Sequence, residues 1–210
     1  MLVDALKQET SMIGIALSTT QVEQFMSYLA LLVQESQRMN ITGIREEREI
    51  ITRHFSDSLS CVMAVELIPG MKVLDVGSGA GFPGVPLKIY ASGIQLTVMD
   101  SSQKHLNFLY NLRGKLRESS SGNCEFEILE KRAEEYGQSE KYRESYDIVV
   151  RTPVIPREKV TRQYITGTQL FFNEVGRQNI IGVTGSKGKT TTATLLYLML
   201  KEAGKKVRLV

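Results

Sequence analysis

The chain has 210 residues, 42% of them hydrophobic and 23% charged, which suits one sizeable α/β core or a core plus a fragment and excludes a wholly disordered chain. No stretch offers the roughly 18 apolar residues that a membrane helix needs, and residues 1–10 lack a secretory signal's basic start and apolar run, so a cytoplasmic protein without a membrane partner is expected. The net charge of +3 hides an uneven spread, since residues 1–150 hold 15 basic and 20 acidic side chains while residues 151–210 hold 11 and 3, as a nucleic-acid-binding tail or a junction between unlike segments would.

Ser18 with Gln21 makes a capping box, and Val22, Phe25, Met26, Leu29, Leu32 and Val33 follow at helical spacing. A second helical stretch runs over 46–65 with Ile50, Ile51, His54, Phe55, Ser58 and Leu59, ahead of a turn at Pro69 and Gly70. Residues 1–70 therefore read as a helical preface. Cys61 and Cys124 are too few for a disulfide framework and too far apart for a zinc knuckle, and read as plain thiols.

After Gly70 the period changes. Residues 72–76 read as an apolar strand, 77–84 as a glycine-rich turn, 85–90 as a helix start and 95–100 as a second strand ending in an acid. A helix over 101–117 turns Leu106, Leu109, Leu112 and Leu116 inward, and strands at 125–129 and 146–150 flank a charged helical stretch. The alternation over 71–150 predicts a parallel sheet with right-handed crossovers. Beyond residue 151 the pattern restarts, with an apolar strand at 179–184, a glycine loop at 185–189, a helix at 190–203 and a final strand at 206–210.

The run VLDVGSGAGFPG at 73–84 places glycines just past a buried strand, where backbone turns sharply and approaches a ligand. Gly79, Gly81 and Gly84 also satisfy the dinucleotide pattern G-x-G-x-x-G. Asp75 argues against that competitor, because a carboxylate so near would repel a pyrophosphate and attract a cationic sulfonium. Asp100 suits the two hydroxyls of a ribose in either case, and a turn with no ligand remains the third reading.

The runs NITGI at 40–44, HFSDSL at 54–59, DVGSGAGFPGVP at 75–86, DSSQK at 100–104 and RAE at 132–134 resemble, in the same order, the glucose-inhibited division protein B family. The resemblance covers roughly residues 18–149. It implies a Rossmann-like class I methyltransferase fold with a parallel core and helical preface. The implied reaction moves a methyl group from S-adenosylmethionine to N7 of a guanine in small-subunit (16S) ribosomal RNA, with that RNA or the 30S particle as partner and no stable protein partner. Guanine N7 has an in-plane lone pair, so binding residues rather than a strong base are expected.

On this resemblance Asp75, Gly77, Ser78, Gly79, Gly81 and Phe82 line the donor site, Asp100 holds the ribose, and Ala133 with Glu134 flanks the adenine. Asn40, His54 and Asp57 lie toward the substrate, and Arg132 and Arg151 are candidates for RNA phosphate. His105 reads as a helix-surface residue.

The second constellation, IIGVTGSKGKTT at 180–191, is strand, glycine loop and helix start. Backbone amides of Gly185, Ser186, Lys187, Gly188 and Thr191 would cradle phosphate, Lys189 would neutralise it, and Thr190 would ligand magnesium beside ATP. With RTPVIP at 151–156 and TGTQLFF at 166–172, it resembles the hinge and ATP-binding start of UDP-N-acetylmuramoylalanine D-glutamate ligase, a Mur ligase. The expected whole is thus a shortened methyltransferase followed by a partial P-loop α/β segment over 151–210. Where the methyltransferase family continues with an Arg-Ala pair, Arg151 is followed here by Thr152.

Overall fold

The computed structural model describes residues 1–63, 65–118, 124–132 and 146–151. The expectations for Ala133 and Glu134, for the loop at 185–191 and for everything else past residue 151 lie outside these residues.

Ser18 caps α2 (Thr19–Met39) as its spacing predicts. Its hydroxyl accepts from the Gln21 amide at 3.2 Å, while the Gln21 side chain accepts from the Ser18 amide at 2.8 Å. The same Gln21 side chain donates to the Tyr90 carbonyl at 2.8 Å, which fastens the helix start to the neighbouring α/β layer. Val22, Phe25, Leu29 and Leu32 are buried, Met26 and Val33 flank them half-buried, and Tyr28 is sealed in the same stripe.

A helix that the sequence pattern does not announce, α1 (Leu2–Met12), precedes it. Its apolar stripe is short, and a marginal helix of this kind is held by tertiary burial, here of Ala5 and Leu6. The expected helix over 46–65 is divided into α3 (Glu47–Ile50), a π-helical turn (Ile51–Ser56), α4 (Asp57–Leu59) and a 3₁₀ turn (Ser60–Met63). Ile50, Ile51, Phe55 and Leu59 all enter the core. Single π turns recur at functional positions, and this one carries His54.

Four strands, β1 (Lys72–Val76), β2 (Gln95–Asp100), β3 (Glu127–Glu130) and β4 (Ile148–Arg151), pair in parallel in the order β3-β2-β1-β4. Val73, Leu74, Val76, Leu96, Val98 and Met99 are at most 2% exposed, because helices cover both faces of a parallel sheet. Between the strands run α5 (Gly84–Tyr90) and α6 (Gln103–Glu118). Leu106, Leu109, Leu112 and Leu116 of α6 point inward as predicted, joined by Phe108.

Strands three and four each begin two residues later than the sequence suggests, since pairing rather than composition sets strand ends. Asp147, just ahead of β4, joins β1 by side chain and amide together: its carboxylate accepts from the Lys72 amide at 2.7 Å, and its own amide donates to the Lys72 carbonyl at 2.9 Å. The chain steps from β1 to β2 to β3 on one side and then returns to the other side of β1 for β4. Strand order therefore reverses at the carboxyl end of β1, where such sheets open a crevice for ligands. Among the described residues, no helix is long and apolar enough to cross a membrane.

Candidate functional site

The turn after β1 is built from left-handed backbone. Gly77, Gly79 and Gly81 have φ of +75°, +56° and +95°, a region that side chains make costly. The amides of Gly77 and Ser78 both donate to the Met99 carbonyl, at 2.8 and 3.0 Å, and the Ser78 hydroxyl accepts from the Met99 amide at 3.2 Å. The turn is thereby stitched to the end of β2. Its glycines then differ in what surrounds them: a Cβ at Gly84 would meet Asp75 Oδ2 at 2.8 Å, whereas one at Gly79 would meet nothing within 4 Å. Gly84 serves packing, and Gly79 faces open space.

The two acids that the sequence pairs have opposite surroundings. Asp75 has no exposed surface; Oδ2 accepts from the Gly84 amide at 2.9 Å, and Oδ1 has no hydrogen-bond partner among the described residues. Burial outweighs the amide bond and pushes its pKa up to about 7, far above an ordinary carboxylate. Asp100 is partly buried too, which opposes its charge. Hydrogen bonds from His105, Ser102 and Gly79 more than offset that, and its pKa lies below the usual value. The donors are the Gly79 amide at 2.9 Å, the Ser102 amide at 2.8 Å and His105 Nδ1 at 3.3 Å.

This corrects two expectations. Asp75, expected to attract a cationic donor by its charge, is fully buried with its pKa raised, because the start of α5 closes over it. His105 does not project from the outer surface of its helix; it is half-buried and touches Asp100. The case against a dinucleotide changes accordingly. The Gly79 amide, which a pyrophosphate would need, is already held by the charged Asp100 carboxylate.

Over the turn lies a stack of rings. Phe82 is parallel to the buried Tyr28 at 5.4 Å (10°) and to His54 at 4.4 Å (12°). Tyr28 also donates to the Ala80 carbonyl, so α2 grips the turn directly. His54 Nε2 is 2.9 Å from the Thr42 hydroxyl, and burial lowers the histidine pKa, which keeps the ring neutral near pH 7. Asp57 is exposed, although protein around its carboxyl removes enough hydration to raise its pKa.

Asn40 is exposed and ends α2 in the left-handed region at φ 49°. Its side chain accepts from Arg45 at 2.7 Å, and its carbonyl accepts from Lys104 Nζ at 3.1 Å, which ties the loop after α2 to α6. Tyr28, Thr42, Arg45 and Lys104 are participants that the sequence does not single out. A polar aromatic inside the Val22–Phe25–Leu29 stripe was the available signal for Tyr28. Arg132 is exposed beyond β3, and Arg151 pairs with Val76 through the backbone at the crevice end of β4.

A sulfonium donor bearing a ribose fits this arrangement. Gly79 leaves room for close approach, and Asp100 is a charged acceptor whose Oδ1 meets only the Ser102 amide among the described residues. No His, Cys, Asp and Glu cluster suited to a metal occurs among the described residues, and the Thr190 magnesium expectation lies outside them.

A parallel sheet with reversed strand order, a left-handed glycine turn after β1 and a charged acid ending β2 define a Rossmann-like methyltransferase fold with an N-terminal helical preface. Residues 21–170 match the rRNA small subunit methyltransferase G family, and the chain belongs to that family. The match continues past the boundary that the sequence reading sets at residue 150. The chain is 42% identical over 147 residues to ribosomal RNA small subunit methyltransferase G of Alkaliphilus oremlandii, a match covering 70% of this chain and 59% of that protein. With the Caldanaerobacter subterraneus protein of the same name, identity is 41% over 154 residues, covering 73% and 62%. With that of Alkaliphilus metalliredigens it is 37% over 194 residues, covering 87% and 79%. The chain thus spans about three-fifths of the length of the first two relatives.

Proposed function

We propose that this chain carries the donor-binding core of an S-adenosylmethionine-dependent methyltransferase acting on N7 of a guanine in small-subunit ribosomal RNA, free or in the 30S particle. The observation that carries this reading is the Gly79–Asp100 pair: an open left-handed glycine whose amide is taken by a charged carboxylate. That pairing disfavours a phosphate and favours a cation with hydroxyls. When bound, S-adenosylmethionine supplies an electrophilic methyl on a positively charged sulfur. The backbone at Gly77, Gly79 and Gly81, with Ser78 and Phe82, lies along the methionine part. Asp100 accepts the ribose hydroxyls, and Ala133 and Glu134 flank the adenine. Asp75 acts from beneath, holding the Gly84 amide and thereby the turn.

Because N7 offers a lone pair without prior deprotonation, the protein's task is alignment and exclusion of water. Asn40, His54 and Asp57 form the acceptor side, and Arg132 and Arg151 reach RNA phosphate, so RNA affinity falls as salt rises. Such work places the protein in the cytoplasm. Isothermal calorimetry tests the donor site: S-adenosylhomocysteine binds, and Asp100→Ala weakens binding about tenfold or more, the worth of one or two bonds to a charged group. Equal affinity of both proteins overturns the assignment. A separate proposal attaches to the GSKGKTT run at 185–191, where a Mur-ligase-like loop would take ATP and magnesium. Titration of the same protein with ATP reads that proposal independently.

A further inference from the structure

We propose that Thr42 is a positioning residue that fixes His54 as the Nδ1–H tautomer, so that the ring offers one neutral donor to an acceptor atom of the substrate base. The inference rests on the proposed guanine substrate, whose O6 acceptor lies beside N7 on the same edge, where adenine instead presents an amino donor.

The hydroxyl of Thr42 has one hydrogen and two lone pairs. One lone pair accepts from the Ile44 amide at 3.2 Å, and His54 Nε2 lies 2.9 Å from the same oxygen. If Nε2 carried the proton it would take the second lone pair, and the hydroxyl hydrogen of a 9% exposed threonine would have no acceptor among the described residues. An unsatisfied buried donor costs on the order of 1–3 kcal/mol. Donation from Thr42 to an unprotonated Nε2 avoids that cost and leaves the proton on Nδ1.

Nδ1 has no partner among the described residues, and the ring is half-buried rather than sealed. Its plane is set by Phe82, which stacks on it at 4.4 Å and is itself backed by Tyr28. Phe82 belongs to the glycine turn, so the ring of His54 is held against the turn that the proposed methyl source would occupy. A neutral Nδ1–H beside that source is suited to O6 of the guanine whose N7 is alkylated. Where guanine has O6, adenine presents its amino group, which would oppose this N–H donor to donor.

Nitrogen-15 NMR of the full chain tests the tautomer directly. The chain has two histidines, so His105→Asn assigns the spectrum. His54 is expected to be protonated at Nδ1 in the wild type and in Thr42→Ser, whereas Thr42→Val releases it to a mixture containing Nε2–H. A wild-type ring protonated at Nε2, or a Thr42→Val ring unchanged from wild type, overturns the positioning role.

Titration with nucleotides in the presence of S-adenosylhomocysteine then tests recognition. Guanosine and inosine monophosphates, which keep O6, are expected to bind about fivefold tighter than the 2-aminopurine nucleotide, which lacks it. His54→Phe, which keeps a ring against Phe82 but has no donor, is expected to erase that difference. Equal binding of the three nucleotides by wild type overturns the O6 contact. Failure of S-adenosylhomocysteine to bind at all, read separately by calorimetry, overturns the donor-site reading while leaving the tautomer result standing.

Discussion

Gly81 lies directly against the hydroxyl of Tyr28: a Cβ at position 81 would stand 2.8 Å from that oxygen and 2.9 Å from Cγ2 of Val85. Tyr28 cannot retreat, because it is fully buried, bonded to the Ala80 carbonyl and packed against Phe55 and Phe82. Helix α2 thus sets the shape of the glycine turn by occupying the space that a side chain there would need.

Gly81→Ala should therefore destabilise the fold by about 3 kcal/mol, combining overpacking with the strain of φ near +95°. Urea unfolding measures it. A loss under about 1 kcal/mol would show that the contact is soft.

Gly79→Ala should behave differently. Its φ of +56° lets alanine enter at a cost of about 1–2 kcal/mol, and nothing lies within 4 Å of the added carbon. The methyl would project into the space proposed for the donor. Calorimetry should show S-adenosylhomocysteine binding weakened about tenfold or more, beyond what the modest stability loss explains. Unchanged affinity would remove Gly79 from the site.

Asp75 makes stability depend on pH in a definite direction. Its folded pKa of about 7 lies above the ordinary 3.8, so the folded protein keeps a proton that the unfolded chain releases. Its contribution is fully present below 3.8 and is lost as pH rises to about 7. At ~1.4 kcal/mol per pKa unit, the upper limit is roughly 4 kcal/mol. Asp75→Asn cannot titrate, so the stability of wild type minus that of the variant should fall between pH 4 and 7 and stay flat above pH 8. A difference that is constant across that range would mean Asp75 keeps its charge when folded.

Local features are plain in the amino-acid order because their partners are near neighbours. Ser18 and Gln21 cap each other across one turn, the leucines of α6 recur at helical spacing, and the apolar run before Gly77 reads as a buried strand. The family pattern at 40–44, 54–59, 75–86 and 100–104 is legible for the same reason, being carried by short contiguous runs. Helix α1 escapes this reading because its few apolar residues gain stability only from a core contributed by other segments.

Asp75 and Asp100 look equivalent as letters, each an acid within or at the end of an apolar strand. Their charge states separate because the start of α5 seals one from water, while Gly79, Ser102 and His105 surround the other with N–H donors. The pairs Thr42–His54 and Tyr28–Ala80 join elements that nothing in the amino-acid order links. Spacing alone determined the parallel α/β core and the position of its turn, and the family pattern added the methyltransferase class. Only the folded chain decided which carboxylate ionises more readily, which glycine is open and how the histidine is held, because hydration and hydrogen-bond partners belong to a residue's neighbours in space.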